Sequence, residues 1–292
     1  TIEQAARHIS KAQYIIFTSG AGLGVDSGLP DFRGKEGFWR AYPPIARLGL
    51  KFEQVSTPRW FRDDPAFAWG FFAHRYFLYK QAVPHDGYRV IKRIADQTSG
   101  NYFVFTSNVD GHFLRANIPE EKLIECHGSL QYLQFVHDNE TSVFPVTNQL
   151  DGVEVDLDTF KVKSKQMLPN IKGELLRPNV LMFNDWGFVG TRLEVQEAEM
   201  ESFKQKLLSA SIDEQLVVIE MGAGVHVETV RKASEKICRN FPGNSTLIRI
   251  NPRDLDGPAS SETFTYIPIA DGAKNALQQI EKELEQSNYF RE

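Results

Sequence analysis

Gly20-Ala21-Gly22-Leu23-Gly24-Val25-Asp26-Ser27-Gly28-Leu29-Pro30-Asp31-Phe32-Arg33 follows almost at once on the apolar run Tyr14-Ile15-Ile16-Phe17, so a strand runs into a loop of spaced glycines. Glycine at 20, 22 and 24 removes Cβ atoms where backbone N–H groups can close on a pyrophosphate, and such loops normally feed a helix N-terminus with its partial positive charge. The stretch reads as a dinucleotide site, although ordinary turns also use spaced glycines. A dehydrogenase-type loop would continue through a helix to a second strand ending in an acidic residue about 20 positions on. Here Pro30 to Trp39 reads as neither helix nor strand, and Pro43-Pro44 follows. The loop therefore carries its own aromatic and charged groups over the ligand.

The chain has 292 residues, enough for one large domain or two modest ones, and its 41% apolar content fits a folded globular protein. A formal net charge of -5 argues against nucleic acid as a partner, since phosphate backbones call for a basic face. Cys126 and Cys238 are the only cysteines, which fits a reducing compartment and offers no disulfide framework. No apolar run approaches the roughly 20 residues that span a bilayer, so no membrane partner is expected. A soluble, cytoplasmic protein is the expectation. The chain opens at Thr1 rather than methionine, which leaves room for a removed N-terminal segment.

Ile2, Ala5, Ala6 and Ile9 recur at helical spacing before the first strand. Later apolar runs at Tyr102–Phe105, Leu123–Cys126, Asn179–Phe183, Leu216–Ile219 and Thr246–Ile250 read as buried strands of a parallel sheet. Val227, Val230, Ala233 and Ile237 form a helical stripe behind Gly222-Ala223-Gly224; Ala273, Ala276, Leu277, Ile280 and Leu284 form another behind a predicted Asp271 N-cap. This alternation predicts an α/β fold, a Rossmann-like doubly wound parallel sheet with a smaller inserted domain. Residues 1–34, 86–130 and 176–292 are assigned to the dinucleotide-binding domain. The small domain takes 35–85, a helical module crowded with Trp60, Phe61, Phe67, Trp69, Phe71, Phe72, Tyr76, Phe77 and Tyr79, and the polar, irregular stretch 131–175. Those aromatics read as a helical core; the competing reading is that some of them line a channel for an apolar substrate.

Thr106-Ser107-Asn108-Val109-Asp110-Gly111 directly follows a predicted strand, at the edge where ligands bind such sheets. Asn and Asp also make plain turns. Glu125-Cys126-His127-Gly128 ends the next strand, and His127 is the candidate general base because its unperturbed pKa lies near neutrality.

The run Gly20 to Gly22 through Ser27-Gly28-Leu29-Pro30-Asp31-Phe32-Arg33, then Asn108-Val109-Asp110-Gly111, then His127-Gly128, resembles the sirtuins, NAD-dependent protein deacylases. Arg177-Pro178-Asn179-Val180 with Phe183, Ile250-Asn251 and Asp271-Gly272-Ala273 extend the likeness over most of the chain. The resemblance implies NAD as cofactor and an acylated protein or peptide as partner, with oligomeric state left open. The pyrophosphate would be held by Gly20, Ala21, Gly22, Gly222, Ala223 and Gly224, the adenosine by Asn251, Gly272 and Ala273. Asp110 would meet the nicotinamide carboxamide in a pocket walled by Ala21, Leu29 and Phe32, with Asp31, Arg33 and Ser107 also touching the cofactor. The acyl oxygen would attack the ribose carbon as nicotinamide leaves, Asn108 would position the ribose or a water, and His127 would deprotonate a ribose hydroxyl. Products would be nicotinamide, free lysine and O-acyl-ADP-ribose. Phe183 and Asn184 would contact the substrate.

The chain also departs from that pattern. Gly24 stands where Ser is usual, Ser107 for Gln, Ala223-Gly224 for Thr-Ser, and Asn184-Asp185 for Gly-Glu. Residues 129–177 hold no cysteine, so the family's four-cysteine zinc site is excluded by arithmetic; no metal is expected, and His137 and Asp138 read as a solvated loop. Packing by Leu130, Tyr132, Leu133, Phe135, Phe144 and Val146 must serve instead. Phe72 and Arg75 resemble a Tyr-x-x-Arg pattern that holds acidic acyl groups, with Phe replacing Tyr; a structural Arg is the competing reading. Two further readings stay open: a mono-ADP-ribosyltransferase or NAD glycohydrolase, and a non-catalytic NAD sensor.

Overall fold

The computed structural model describes residues 1–31, 34–137 and 141–290. Helix α1 (Ile2–Lys11) presents Ala5, Ala6 and Ile9 inward and leads into strand β1 (Tyr14–Ser19), whose six residues are all buried. Continuous burial marks a strand covered on both faces. Strands β2 (Tyr102–Thr106) and β3 (Leu123–Glu125) lie on one side of β1. After β3 the chain forms β4 (Gly128–Phe135) and β5 (Glu174–Val180), then returns to the main sheet as β6 (Gln215–Met221), β7 (Asn244–Ile250) and β8 (Phe264–Ile269). The sheet order is β8-β7-β6-β1-β2-β3, and every pairing is parallel. The chain reverses direction across the sheet between β1 and β6, the switch point where such sheets bind ligands.

The long helices are α2 (Pro65–Gln81), α3 (Asp86–Asp96), α4 (Thr191–Leu208), α5 (Thr229–Asn240) and α6 (Ala273–Gln286). Helices α1, α3 and α6 cover one face of the sheet, burying Ile94, Leu277 and Ile280 against Ile15, Phe17 and Ile219. The other face packs Met200, Phe203 and Leu207 of α4 against Ile16, Phe103 and Val218. No helix among the described residues is long and apolar enough to cross a membrane.

A third core lies between the helical segment and β4–β5. Helix α2 opens on Pro65, with the Asp64 Oδ1 accepting the Phe67 N–H at 3.1 Å, and is buried on most of its circumference. Four shorter helices precede it, and the first, Gly34–Ala41, corrects the expectation of irregular structure over Pro30 to Trp39. Tertiary contact overrides its poor propensity, because Phe38 seats against Tyr42, Phe52 and Phe71. Trp69, Phe71 and Phe72 are buried core residues, as the crowding of aromatics suggests.

Asn179 to Phe183 is not a strand of the parallel sheet. Strand β5 ends at Val180 and pairs antiparallel with β4. The cause is Gly128, at φ +76, which lets the chain leaving β3 turn into β4; a Cβ there would lie 2.1 Å from the Asn179 carbonyl oxygen. Two more corrections concern helix starts. Helix α5 begins only at Thr229, so Val227 lies outside it and is exposed, and the buried face is Val230, Arg231, Ser234 and Cys238. Gly272, not Asp271, occupies the N-cap of α6; Asp271 binds the Gly272 N–H and the side-chain amides of Asn275 and Gln279.

Among the described residues no three His, Cys, Asp or Glu side chains converge as a metal site requires; Asp138 lies outside them. Leu130 and Leu133 are buried, and Phe135 and Phe144 meet at 5.8 Å. A ribbon, Val155–Asp156 with Lys161–Val162, adds what the sequence reading missed. It inserts Phe160 between Tyr42 (5.4 Å) and His74 (5.1 Å), at φ +56, a conformation bulky residues rarely adopt. Gly70 on α2 makes this possible, since a Cβ there would sit 2.1 Å from the Phe160 carbonyl oxygen. Gly70→Ala is expected to destabilise the fold by about 1–3 kcal/mol in urea unfolding through this overpacking. A strong chelator should leave the melting temperature unchanged.

Candidate functional site

A cavity of about 920 Å³ opens at the C-terminal ends of β1, β2 and β6, a size that suits a dinucleotide. Two glycine loops form one wall and interlock. The Gly20 N–H donates to the Met221 carbonyl and the Gly22 N–H to the Gly222 carbonyl, each at 3.0 Å. A Cβ on Gly20 would lie 2.8 Å from the Gly222 oxygen; one on Gly222, at φ +62, would lie 2.3 Å from the Leu23 nitrogen. Gly20, Ala21, Gly22, Leu29, Asp31, Gly222, Ala223 and Gly224 all line the cavity, and Gly24 joins them. Phe32 and Arg33 lie outside the described residues. The first loop continues as a 3-10 turn, Ala21–Ser27, ended by Gly28 at φ +81.

His85, absent from the sequence reading, fixes that turn. Its Nε2 donates to the Leu23 carbonyl at 2.8 Å, its Nδ1 accepts the Gly87 N–H at 3.0 Å, and its own N–H reaches the Ser27 hydroxyl at 3.0 Å. Burial lowers its pKa and so preserves the neutral tautomer that Nδ1 needs to accept. The signal was available in Pro84-His85-Asp86, where a helix start follows a proline, but nothing local tied it to the glycine loop.

The second wall carries Ser107, Asn108, Asp110 and His127. Strand β2 ends at Thr106, whose Oγ1 meets the Ser19 hydroxyl at 2.8 Å and accepts the Asn108 N–H at 3.0 Å. The Asn108 Nδ2 donates to the Gly20 carbonyl at 3.1 Å, which leaves Oδ1 as the acceptor offered to a ligand. One Asp110 oxygen accepts the His112 N–H at 2.9 Å. Among the described residues the other oxygen takes no protein hydrogen bond, so it can accept a ligand amide. Burial lowers the His127 pKa below its usual 6.5, opposed by a hydrogen bond to the Ser107 backbone. The ring is therefore neutral at pH 7, as a general base must be. Its strand end is anchored: Glu125 pairs with Arg192 at 2.7 Å, and its N–H donates to Gln196 at 3.0 Å. Burial pushes the neighbouring Cys126 thiol up to about 12, so it stays protonated and inert.

The third wall is the segment after β5, with Phe183 and Asn184 lining the cavity. The Leu181 N–H donates to the His127 carbonyl and the Phe183 N–H to the Ser56 carbonyl, each at 2.9 Å. Asn184 sits at φ +55, a left-handed conformation that asparagine adopts more readily than most non-glycine residues, so the Gly-to-Asn departure keeps the turn. Asp185 pairs with the buried Arg177 guanidinium through both oxygens, one of them at 2.9 Å.

Three expectations change. Phe72 packs behind the cavity against Phe61 and Phe71 and does not line it. Arg75 does line it, and its Nη2 donates at 2.9 Å to the hydroxyl of Tyr79, which supplies the phenol one helical turn further on. Asn251 is buried, donating from Nδ2 to the Ala223 carbonyl at 2.9 Å, and so supports the second glycine loop from behind. Gly272 and Ala273 are not brought to the cavity; the N-terminus of α6 meets Asp26, whose Oδ2 accepts the Lys274 N–H at 3.0 Å.

The family model described as the Sir2 family matches residues 20–203. The chain belongs to the Sir2 family. This Sir2-family chain is 28% identical over 277 residues to an NAD-dependent protein deacylase of Candida albicans, covering 81% of this chain and 85% of that protein. An NAD-dependent protein deacylase of Deinococcus radiodurans is 25% identical, over 87% of this chain and 89% of its own. An ADP-ribose complex of a mutant Sir2 homologue superposes with TM-score 0.67 at 21% identity, covering 99% of each chain. A Sir2 mutant with a deacetylated p53 peptide and 3'-O-acetyl ADP-ribose gives TM-score 0.63 at 18% identity, covering 97% of this chain and 98% of that one.

His85→Ala is expected to weaken ADP-ribose binding about 10-fold in calorimetric titration, roughly the loss of one buried hydrogen bond to the loop. Unchanged affinity would remove His85 from the site's support.

Proposed function

We propose that this chain is an NAD-dependent protein lysine deacylase, releasing nicotinamide, free lysine and O-acyl-ADP-ribose. The observation that carries the reading is the convergence of Asn108, Asp110 and His127 on the cavity that both glycine loops line, with Phe183 at its mouth. A sensor of NAD has no use for a neutral imidazole held there. NAD, when bound, supplies a cleavable glycosidic bond and the ribose hydroxyl that receives the acyl group.

Backbone N–H groups of Ala21, Ala223 and Gly224, which the bonds between the loops do not use, would hold the pyrophosphate. The free Asp110 oxygen would accept a hydrogen bond from the nicotinamide carboxamide N–H and so orient the ring. Asn108 Oδ1, fixed by the bond from Nδ2 to Gly20, orders the ribose or a water beside it. His127 removes a ribose proton once nicotinamide has left, which lets that oxygen reach the acyl carbon. Ala223 and Gly224 bind through the backbone alone, without hydroxyls. Acyl-lysine enters past Phe52 and Phe183, whose rings meet at 5.8 Å. Arg75, hydrogen-bonded to Tyr79 at the cavity wall, would pair with an acyl chain ending in a carboxylate.

Products distinguish the readings. The chain is incubated with NAD and acetyl- or succinyl-lysine peptides, and products are identified by mass spectrometry. O-acyl-ADP-ribose that depends on peptide is the expected result; free ADP-ribose formed at the same rate without peptide indicates a glycohydrolase, and ADP-ribose attached to protein a transferase. The pH profile tests His127 separately. Its neutral form is lost as pH falls through its pKa, and burial holds that pKa below 6.5, so kcat/KM should stay level from pH 7.5 to about 6.5 and decline only below it. His127→Ala should lower kcat about 10²–10⁴-fold while NAD binding persists.

A further inference from the structure

Trp186 is 98% exposed, while Asp185 beside it has a fully buried side chain. Exposing the largest apolar side chain is unfavourable, and the surrounding backbone is unusually well fixed for a surface loop. The Asp185 carboxylate, paired with Arg177, also accepts the N–H groups of Met182 (3.1 Å) and Gly187 (3.2 Å). The buried Gln134 completes the frame. Its Nε2 donates to the Gly187 carbonyl at 2.8 Å, and its Oε1 accepts the Val189 N–H at 3.1 Å. Asn179 Nδ2 donates to the Val189 carbonyl at 2.9 Å. Both neighbours of Trp186 are thus tethered to the core, and the indole is carried outward on a stiff platform. A flexible loop would have let it fold back.

The exposure is shared by near neighbours in the chain. Leu181 is 41% exposed and Phe183 37%, so three of six consecutive residues present apolar side chains to solvent, and Leu181 and Phe183 also line the cavity. A rigidly held aromatic at the rim of a binding cleft has the properties of an interface anchor: large contact area at little further cost in side-chain entropy.

We propose that Trp186 is a specificity-determining residue that docks an apolar side chain of the protein substrate, within a few residues of the acylated lysine. The inference rests on the deacylase reading and adds the chemistry of the flanking sequence. Apolar contact is the commitment because Leu181, Phe183 and Trp186, all apolar and exposed, stand within six residues at the cavity's edge; a substrate arginine stacked on the indole is the competing occupant. A minimal substrate, acetyl-lysine blocked at both ends, does not extend to Trp186.

The test uses the whole chain with NAD and a set of acetyl-lysine peptides in which each flanking position carries Ala, Leu, Phe or Arg, with the blocked acetyl-lysine as control. Wild type should show a KM about 10-fold lower for the best Leu or Phe peptide than for its Ala counterpart. Trp186→Ala should abolish that preference with kcat and the blocked substrate unaffected, and Trp186→Phe should restore part of it. A preference that survives in Trp186→Ala overturns the proposal, as does a preference for Arg peptides or an equal loss on the blocked substrate. If wild type consumes NAD but deacylates none of the substrates, blocked acetyl-lysine included, the deacylase reading itself fails and takes the proposal with it.

Discussion

The site depends on one close approach, that of the loop after β1 to the loop after β6. Two backbone hydrogen bonds of 3.0 Å join them, and the space between is so small that a single Cβ on Gly20 or Gly222 would collide with backbone atoms of the other loop. Parallel pairing of β1 with β6 over six residues brings the loops level. Because they are locked together, the two loops face one ligand from one wall. His85 and Asp26 extend the lock outward, the first to α3 and the second to α6, so the first glycine loop is braced by helices that lie outside the cavity.

The reacting groups take their positions from that wall. Asn108 is oriented by the carbonyl of Gly20, and Ser107 hangs from Ser19, so the second wall is registered on the first. His127 stands where the chain leaves the parallel sheet, and Gly128 makes that departure possible. The same turn brings Leu181 against the His127 carbonyl, which places the outer segment with Phe183, Asn184 and Trp186 across from the glycine loops. The two glycine loops, His127 and the segment from Leu181 to Trp186 are therefore placed by a few backbone contacts. The outer core is held by aromatic packing around Phe160 and by the Arg177–Asp185 pair, whose loss from one side only would leave a buried charge uncompensated.

The parallel sheet was legible because its strands are short, apolar runs followed by glycine or polar loops, as at Tyr14–Phe17 and Leu216–Ile219. Most cavity residues were legible too, since Gly20, Asn108, Asp110, His127 and Gly222 each sit just past a strand. Other positions depend on partners distant in sequence. The apolar run Asn179–Phe183 fits either kind of strand, and only the turn at Gly128 decides for an antiparallel one. Phe72 and Tyr79 differ by little in pattern, yet helix rotation buries the first and turns the second to Arg75. Asn251 and Ala273 follow strand and loop signals correctly, but hydrogen bonds to Ala223 and the proximity of Asp26 direct that surface away from the cavity. His85 and Phe160 act through contacts to Leu23 and Gly70 that no local pattern announces.

The central claim is that glycosidic cleavage of NAD in this cavity requires an acyl oxygen delivered past Phe183, with His127 acting only afterwards. Exchange of isotopically labelled nicotinamide into NAD measures the first step alone. The account predicts that label enters NAD only when an acylated peptide is present, and that His127→Ala still supports this exchange. Label entering NAD equally fast without peptide, or lost together with turnover in His127→Ala, would contradict it.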